Sequence, residues 1–196
     1  MTDTQARRSM RDFFERYYQK LEQLGNGIAV MRPLGESDKA MWREDADSKD
    51  EWKAWKLIPS TVTDQDIEAL EKAIGTNLPK CLNAFLTVYH HYFENPVGEN
   101  PVSAPFKAVR NAWNPLLVKH GYLPFAWDDG GFYIRCIDLT NMPNEEQCGI
   151  CQIDHEVLFS LDEDTVQKEE IAQNMEYLSQ NLFTYLESIL DNGELS

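Results

Sequence analysis

Apolar positions keep a helical period through most of the first half of the chain and change to a strand period beyond residue 120. Met10, Phe13, Phe14, Tyr17, Leu21 and Leu24 share one face of a helix predicted over Thr4 to Leu24 and stopped by Gly25. Ile67, Leu70 and Ile74 predict a second helix. Thr63 is its N-cap, with a hydroxyl placed to accept from the amide of Asp66; Asp64 and Asp66 lie at its positive end, and Gly75 is its left-handed stop. Leu78-Pro79 opens a third helix with proline at the first helical position, and Leu82, Phe85, Leu86, Tyr89 and Phe93 form its stripe. A short helix over Val109 to Lys119 is kinked or split by Pro115. Ile171, Met175, Leu178, Leu182, Leu186 and Leu190 predict one closing helix over Lys168 to Asp191, ended by Asn192-Gly193.

Leu123-Pro-Phe-Ala-Trp127 and Phe132-Tyr-Ile-Arg-Cys-Ile-Asp138 flank the turn residues Asp128-Asp-Gly-Gly131, a hairpin signal. Cys148 to Ile153 and Glu156 to Ser160 predict two further strands, and connections this short make the arrangement an antiparallel meander. From Gly25 to Lys53 periodicity dissolves into a surface connection; only Ile28 to Met31 reads as a short strand, and Trp42 and Trp52 are placed to pin the segment. Trp55 closes the core beside the second helix, and the prolines at 96, 101 and 105 make 94–105 a loop. The expected fold is α+β, an antiparallel β-meander sheet of about four to six strands packed with flanking helices. A single domain is expected, with a helix and extension over 1–54, a core over 55–191 and a tail over 192–196.

The acidic helix ending at Gly75, the Leu78-Pro79 elbow and the Phe- and Leu-bearing helix after it resemble the opening signature of the SUKH superfamily, the Smi/Knr-like fold. Leu123-Pro-Phe-Ala126 with Asp129-Gly-Gly-Phe-Tyr133 and Ile137-Asp138 looks like the strand pair of that family. Gly149 to His155 is similar to its next strand, and Ile171 to Leu190 to its closing helix. The resemblance covers about Trp55 to Leu190. The first fifty or so residues lie outside it, and the proline-rich insert at 94–105 is longer than the family pattern.

The charge is uneven. The net formal charge is −15, and beyond Asn141 thirteen carboxylates face one base, Lys168, so −12 resides in the last 55 residues. Such a field repels nucleic acid and anionic lipid and speeds encounter with a basic partner; it equally serves solubility. With 42% apolar and 11% aromatic residues the chain can fill a core. No apolar run follows the N-terminal Met1 to Arg8, so no signal peptide is expected, and no stretch has the length of a membrane span. The expectation is a cytoplasmic protein with its four cysteines reduced.

Cys148-Gly-Ile-Cys151 is the only chemical motif. With Cys136 and His155 it can be written as a zinc set, and alone as a redox pair. Positions three apart on a strand face opposite ways, no helix follows to lower a thiol pKa, and no second such pair exists, so buried thiols are expected. His90 and His91, expected at a helix end, point in different directions and cannot chelate together, and His120 and His155 lack obvious partners. Asp128-Asp129 is expected to build the turn rather than an acid–base pair. Nucleophile elbows, phosphate-cradling loops and metalloprotease histidine pairs do not occur. No catalytic, cofactor-binding or metal-binding residues are expected.

The resemblance implies a non-enzymatic immunity protein that neutralises a toxin of a bacterial polymorphic or contact-dependent system, often a nuclease. Charge then places the interface on the acidic half, at Glu145, Glu146, Asp162, Glu163 and Asp164. The alternative is a scaffold or regulator, like the fungal cell-wall glucan-synthesis regulators of the same superfamily. An enzyme built on Cys148 and Cys151 ranks third. The tryptophan-bearing 26–55 segment can pack on its own domain or on a second copy, as a homodimer.

Overall fold

The first helix, α1 (Asp3–Gln23), is nucleated by a capping box in which Thr2 and Gln5 satisfy each other's free amides. It buries Ala6, Met10, Phe13, Phe14, Tyr17 and Leu21, the face expected from their spacing. A computed structural model describes every residue except 1, 34, 46, 48, 143 and 193–196, and the side chains of Glu145 and Asn192 also lie outside the description. The expected Gly193 stop falls among the residues left out.

After α1, Gly25, Asn26 and Gly27 all take positive φ and coil the chain through a 3-10 segment, Leu24–Val30. That left-handed run postpones the expected strand: β1 is Met31–Pro33, paired antiparallel with β2 (Trp52–Ala54). The connection is folded onto the core rather than laid over the surface. Met41 is buried, Trp42 is buried and bridges to Trp55, and the buried Asp38 carboxylate accepts from the Ser103 amide at 2.8 Å and hydroxyl at 2.6 Å. Trp42 pins the segment as expected, but Trp52 does not, being 54% exposed.

Strand β3 (Ile58–Pro59) leads into α2 (Asp64–Ile74), which begins at a Thr63–Asp66 capping box and ends at Gly75 in the left-handed region, φ 81°. Replacing Thr63 by alanine removes the hydroxyl that accepts from the Asp66 amide and costs about 1 kcal/mol, read as a lowered urea midpoint. An unchanged midpoint contradicts the cap.

Helix α3 (Lys80–Val88) starts one residue later than expected, with Pro79 as N-cap, and stops well before Phe93. Tertiary pairing overrides the helical spacing. Tyr89–His90 becomes β4, antiparallel to β3, and His91 exchanges both backbone hydrogen bonds with Asn100 at 3.0 and 3.1 Å. Both histidines are consequently buried in paired strand backbone rather than standing at a helix end. Phe93 still enters the core, its ring 4.7 Å from Tyr17, 5.7 Å from Phe14 and 5.4 Å from Trp55. Asn100 ties the 94–105 loop down: its amide donates to the Leu86 carbonyl and its oxygen accepts from the Phe106 amide, both at 2.9 Å.

The expected split at Pro115 yields α4 (Lys107–Ala112) and α5 (Pro115–Lys119). The sheet that follows is a four-stranded antiparallel meander in chain order: β5 (Tyr122–Trp127), β6 (Tyr133–Asp138), β7 (Ile150–Asp154) and β8 (Glu176–Ser179). Leu123, Phe125, Ile137 and Ile150 join the main core with α1 and α3, while Ile134, Cys136, Cys151 and Ile153 pack under α5 and its neighbours in a second cluster. The architecture is α+β, as expected.

Two further expected elements differ. Glu156 to Ser160 is not a strand but part of helix α6 (His155–Ser160), because the Asp154 carboxylate caps the Glu156 amide at 2.8 Å. The single helix over Lys168 to Asp191 is three elements: α7 (Lys168–Gln173), β8, and α8 (Leu182–Asn192). The open edge of β7 captures residues 176–179 as a strand, and the Asn181 side chain restarts the helix by accepting from the Thr184 amide at 3.0 Å.

Candidate functional site

The expected acidic interface gathers at one end of the sheet. Glu146 lies in the connection between β6 and β7, exposed, and its carbonyl accepts from Asn181, which opens α8. Asp162, Glu163 and Asp164 form the exposed turn after α6. The Glu163 carbonyl accepts from Lys119, which immediately precedes β5, and the nearby Lys168 donates to Thr140, which follows β6. These contacts put both acidic segments at the end where β5 begins and β6 finishes. The Asp162 carboxylate caps the Asp164 amide at 3.0 Å, which shapes the turn. The side chain of Glu145 lies outside the described residues.

The cysteines do not converge. Cys148 belongs to the main core and Cys151 to the second cluster, on the other face of the sheet. Cys136 and Cys151 are cross-strand neighbours, and burial pushes the Cys136 thiol well up and the Cys151 thiol to about 12. Neither is a thiolate at neutral pH. Among the described residues no disulfide occurs and no group of three His, Cys, Asp or Glu is placed to hold a metal ion. Nor is any helix among them long and apolar enough to cross a membrane.

His90 is held on both ring nitrogens. His90 Nδ1 donates to the Asn100 carbonyl at 3.0 Å and Nε2 accepts from the Thr61 amide at 3.0 Å, a tautomer assigned by these partners. Asp128 builds the β5–β6 turn, accepting from the Phe132 and Tyr133 amides at 2.7 Å and the Gly130 amide at 3.2 Å.

A second face, absent from the sequence reading, centres on Glu94 and Asn95. On one side of these residues lies an apolar groove of about 490 Å³ walled by Tyr17, Leu21, Leu24, Ile28 and Trp52. On the other lies a hollow of about 420 Å³ lined by Glu94, Glu99, Lys107, Asn111, Trp127 and Asp129. Burial first, then Asp129 and Glu94, raise the pKa of the Tyr17 phenol in the groove wall. Trp127 donates its indole N–H to the Asn111 carbonyl at 3.2 Å, and His155 and Phe159 continue from it edge to face, each step 5.8 Å. Phe159 is 69% exposed and Phe132, in the adjoining turn, 60%. This face occupies the hairpin end of the sheet, opposite the acidic turns. Its walls come from four distant segments, so no sequence window could display it; the one available signal was the unexplained pair of acids in the 94–105 loop.

Among the described residues the two surfaces differ in character, one bearing the exposed acidic turns and the other an apolar groove beside an aromatic hollow. The sequence model described as the SMI1 / KNR4 family (SUKH-1) matches residues 61–186, well over half the chain, from the strand-to-helix connection before α2 into α8. No curated protein sequence matches it. The chain belongs to the SMI1 / KNR4 family (SUKH-1).

Proposed function

We propose that the protein is a non-enzymatic immunity protein, acting in the cytoplasm, that binds and neutralises a basic protein toxin, a nuclease being the simplest case. The observation that carries this reading is the concentration of −12 of the net charge in the last 55 residues of a chain from this family. A nuclease must present a positive surface to its phosphate substrate, and an acidic protein uses that surface both for steering and for occlusion. Glu146, Asp162, Glu163 and Asp164 supply the field from one end of the sheet.

The test is a mixed culture of the parent strain with a strain lacking this gene. The deleted strain is expected to be outgrown, and a plasmid copy to restore it. A copy carrying Asp162→Lys and Asp164→Lys protects only partly, because losing a steering patch slows association about tenfold at low salt. Equal growth of the deleted strain contradicts the immunity reading and assigns the chain to the regulatory side of its family. Full protection by the charge-reversed copy contradicts the placement of the field.

A further inference from the structure

We infer that the outer side of β8 is a docking edge, along which an extended, basic segment of a protein partner adds to the four-stranded sheet as its fifth strand. The inference rests on the protein-binding role above and adds the place and mode of contact. Strand β8 ends the meander on one side, while the strand at its other end, β5, is packed against α4 and α5. The ladder fixes which backbone groups of β8 are left over. Asp138 donates to the Gly149 carbonyl and His155 to the Phe132 carbonyl, so alternate residues of β7, Cys151 and Ile153, turn their backbone groups to β6. Cys151 is the residue opposite Tyr177. The Tyr177 N–H and C=O therefore point away from β7, and among the described residues no turn or loop backbone pairs with them.

The side chains leave this edge approachable. Tyr177 is 68% exposed, and its ring leans back over Gly149, where a Cβ would come within 3.3 Å of it. The neighbouring Glu176 and Gln180 are exposed as well.

Charge selects the occupant. Native edge strands are blunted by shortness, charge and bulges, and β8 has four residues, an exposed glutamate and a bulge between its pairings with Ile150 and Cys151. These devices act against a second copy, which would bring together two C-terminal segments that each carry −12. A basic strand meets the opposite sign. Glu176 turns its own backbone groups inward to Gln152, so an added strand faces it across a non-hydrogen-bonded site, where side chains come closest. A lysine or arginine there opposes the Glu176 carboxylate, whose bond to the neutral Gln152 amide leaves its charge in place. Glu169 and Glu170, in the first turn of α7, keep the same sign ahead of the strand. Beyond its other end, Asn181 donates to the Glu146 carbonyl, so the edge runs toward the acidic end of the sheet. The acidic turns draw the partner in, and main-chain bonds along β8 hold it.

The probe is the blocked pentapeptide acetyl-Lys-Val-Lys-Val-Lys-amide, titrated into the isotope-labelled full chain beside its acidic counterpart, acetyl-Glu-Val-Glu-Val-Glu-amide. The basic peptide is expected to shift the Tyr177 amide signal and slow its exchange with solvent; the acidic peptide leaves it unchanged. Tyr177→Pro removes the outward N–H at an edge position where proline is tolerated, and Tyr177→Val keeps it. Read at the amides of Glu176 and Leu178, binding is expected to persist in the valine variant and to vanish in the proline variant. Glu176→Lys weakens the basic peptide by about two- to fivefold, the range for one cross-strand charge pair. An unmoved Tyr177 amide overturns the inference, as does equal binding by the proline and valine variants. Equal responses to the two peptides, or to the basic peptide with and without Glu176→Lys, overturn the basic occupant. Tyr177 protection that grows with chain concentration in the absence of peptide overturns the foreign strand and assigns the edge to a second copy. Each failure leaves the mixed-culture result standing, so it is distinguishable from failure of the immunity reading.

Discussion

Replacing Phe14 by alanine lowers the stability of the chain by about 3–5 kcal/mol, enough to shift its thermal midpoint by roughly 6–20 °C. Phe14 is fully buried at the centre of the aromatic cluster that joins α1 to α3 and the strand after it. Its ring lies 4.8 Å from His91, 5.2 Å from Phe85 and 5.7 Å from both Phe13 and Phe93. Those neighbours come from three separate elements fixed by backbone pairing, so they cannot collapse into the space left behind, and a cavity term adds to the lost burial. Phe159→Ala is the matched control. That ring is 69% exposed, and its removal changes stability by less than about 0.5 kcal/mol. Equal losses at the two positions contradict the core described here. Differential scanning calorimetry of the two variants decides the matter.

Acid is expected to destabilise this protein through His91. His91 is fully buried among Phe14, Phe85 and Phe93, and neither ring nitrogen has a hydrogen-bond partner. Burial, with a smaller contribution from His90, lowers its pKa from 6.5 to about 3. The folded chain therefore binds fewer protons than the unfolded chain between those values. The stability associated with neutral His91 is complete above pH 6.5 and falls by about 1.4 kcal/mol per pH unit as acid is added, down to about pH 3. His90, lowered by burial as well, works in the same direction. His91→Phe places a ring of similar shape among three phenylalanines and gives up no hydrogen bond, so stability at neutral pH holds or rises. The variant's stability-against-pH curve is flatter than that of the parent by about one proton below pH 6.5. Coincident curves contradict the placement of His91 in the aromatic core.

Where local signals suffice, the sequence is transparent. Thr63 and Gly75 mark the ends of α2 because an N-cap hydroxyl and a left-handed glycine act within one turn of the chain. The Asp128 to Gly131 turn is readable for the same reason, as is the split at Pro115. The errors arise where a distant strand competes for the backbone. Ile171, Met175, Leu178, Leu182, Leu186 and Leu190 keep perfect helical spacing, yet 176–179 are strand because β7 offers an open edge that no local window contains. Tyr89 and Phe93 fit a helix stripe equally well, but Ile58, Pro59 and Asn100 take the backbone that a longer helix would use. The acidic turns are legible because charge is additive along a sequence. The grooved face is not, because Trp52 and Trp127 come to lie on either side of Glu94 only after separate parts of the chain have folded.

The central claim, that the molecule works by binding a basic toxin, is tested most directly by capturing partners on the tagged full chain in its native host at low and at moderate salt. Each captured polypeptide is then expressed alone and together with this chain. The expected result is a basic polypeptide whose capture weakens with salt, which arrests growth alone and ceases to do so in the presence of this chain. Capture of cell-envelope or signalling proteins that are harmless when expressed alone, with salt-insensitive binding, contradicts it.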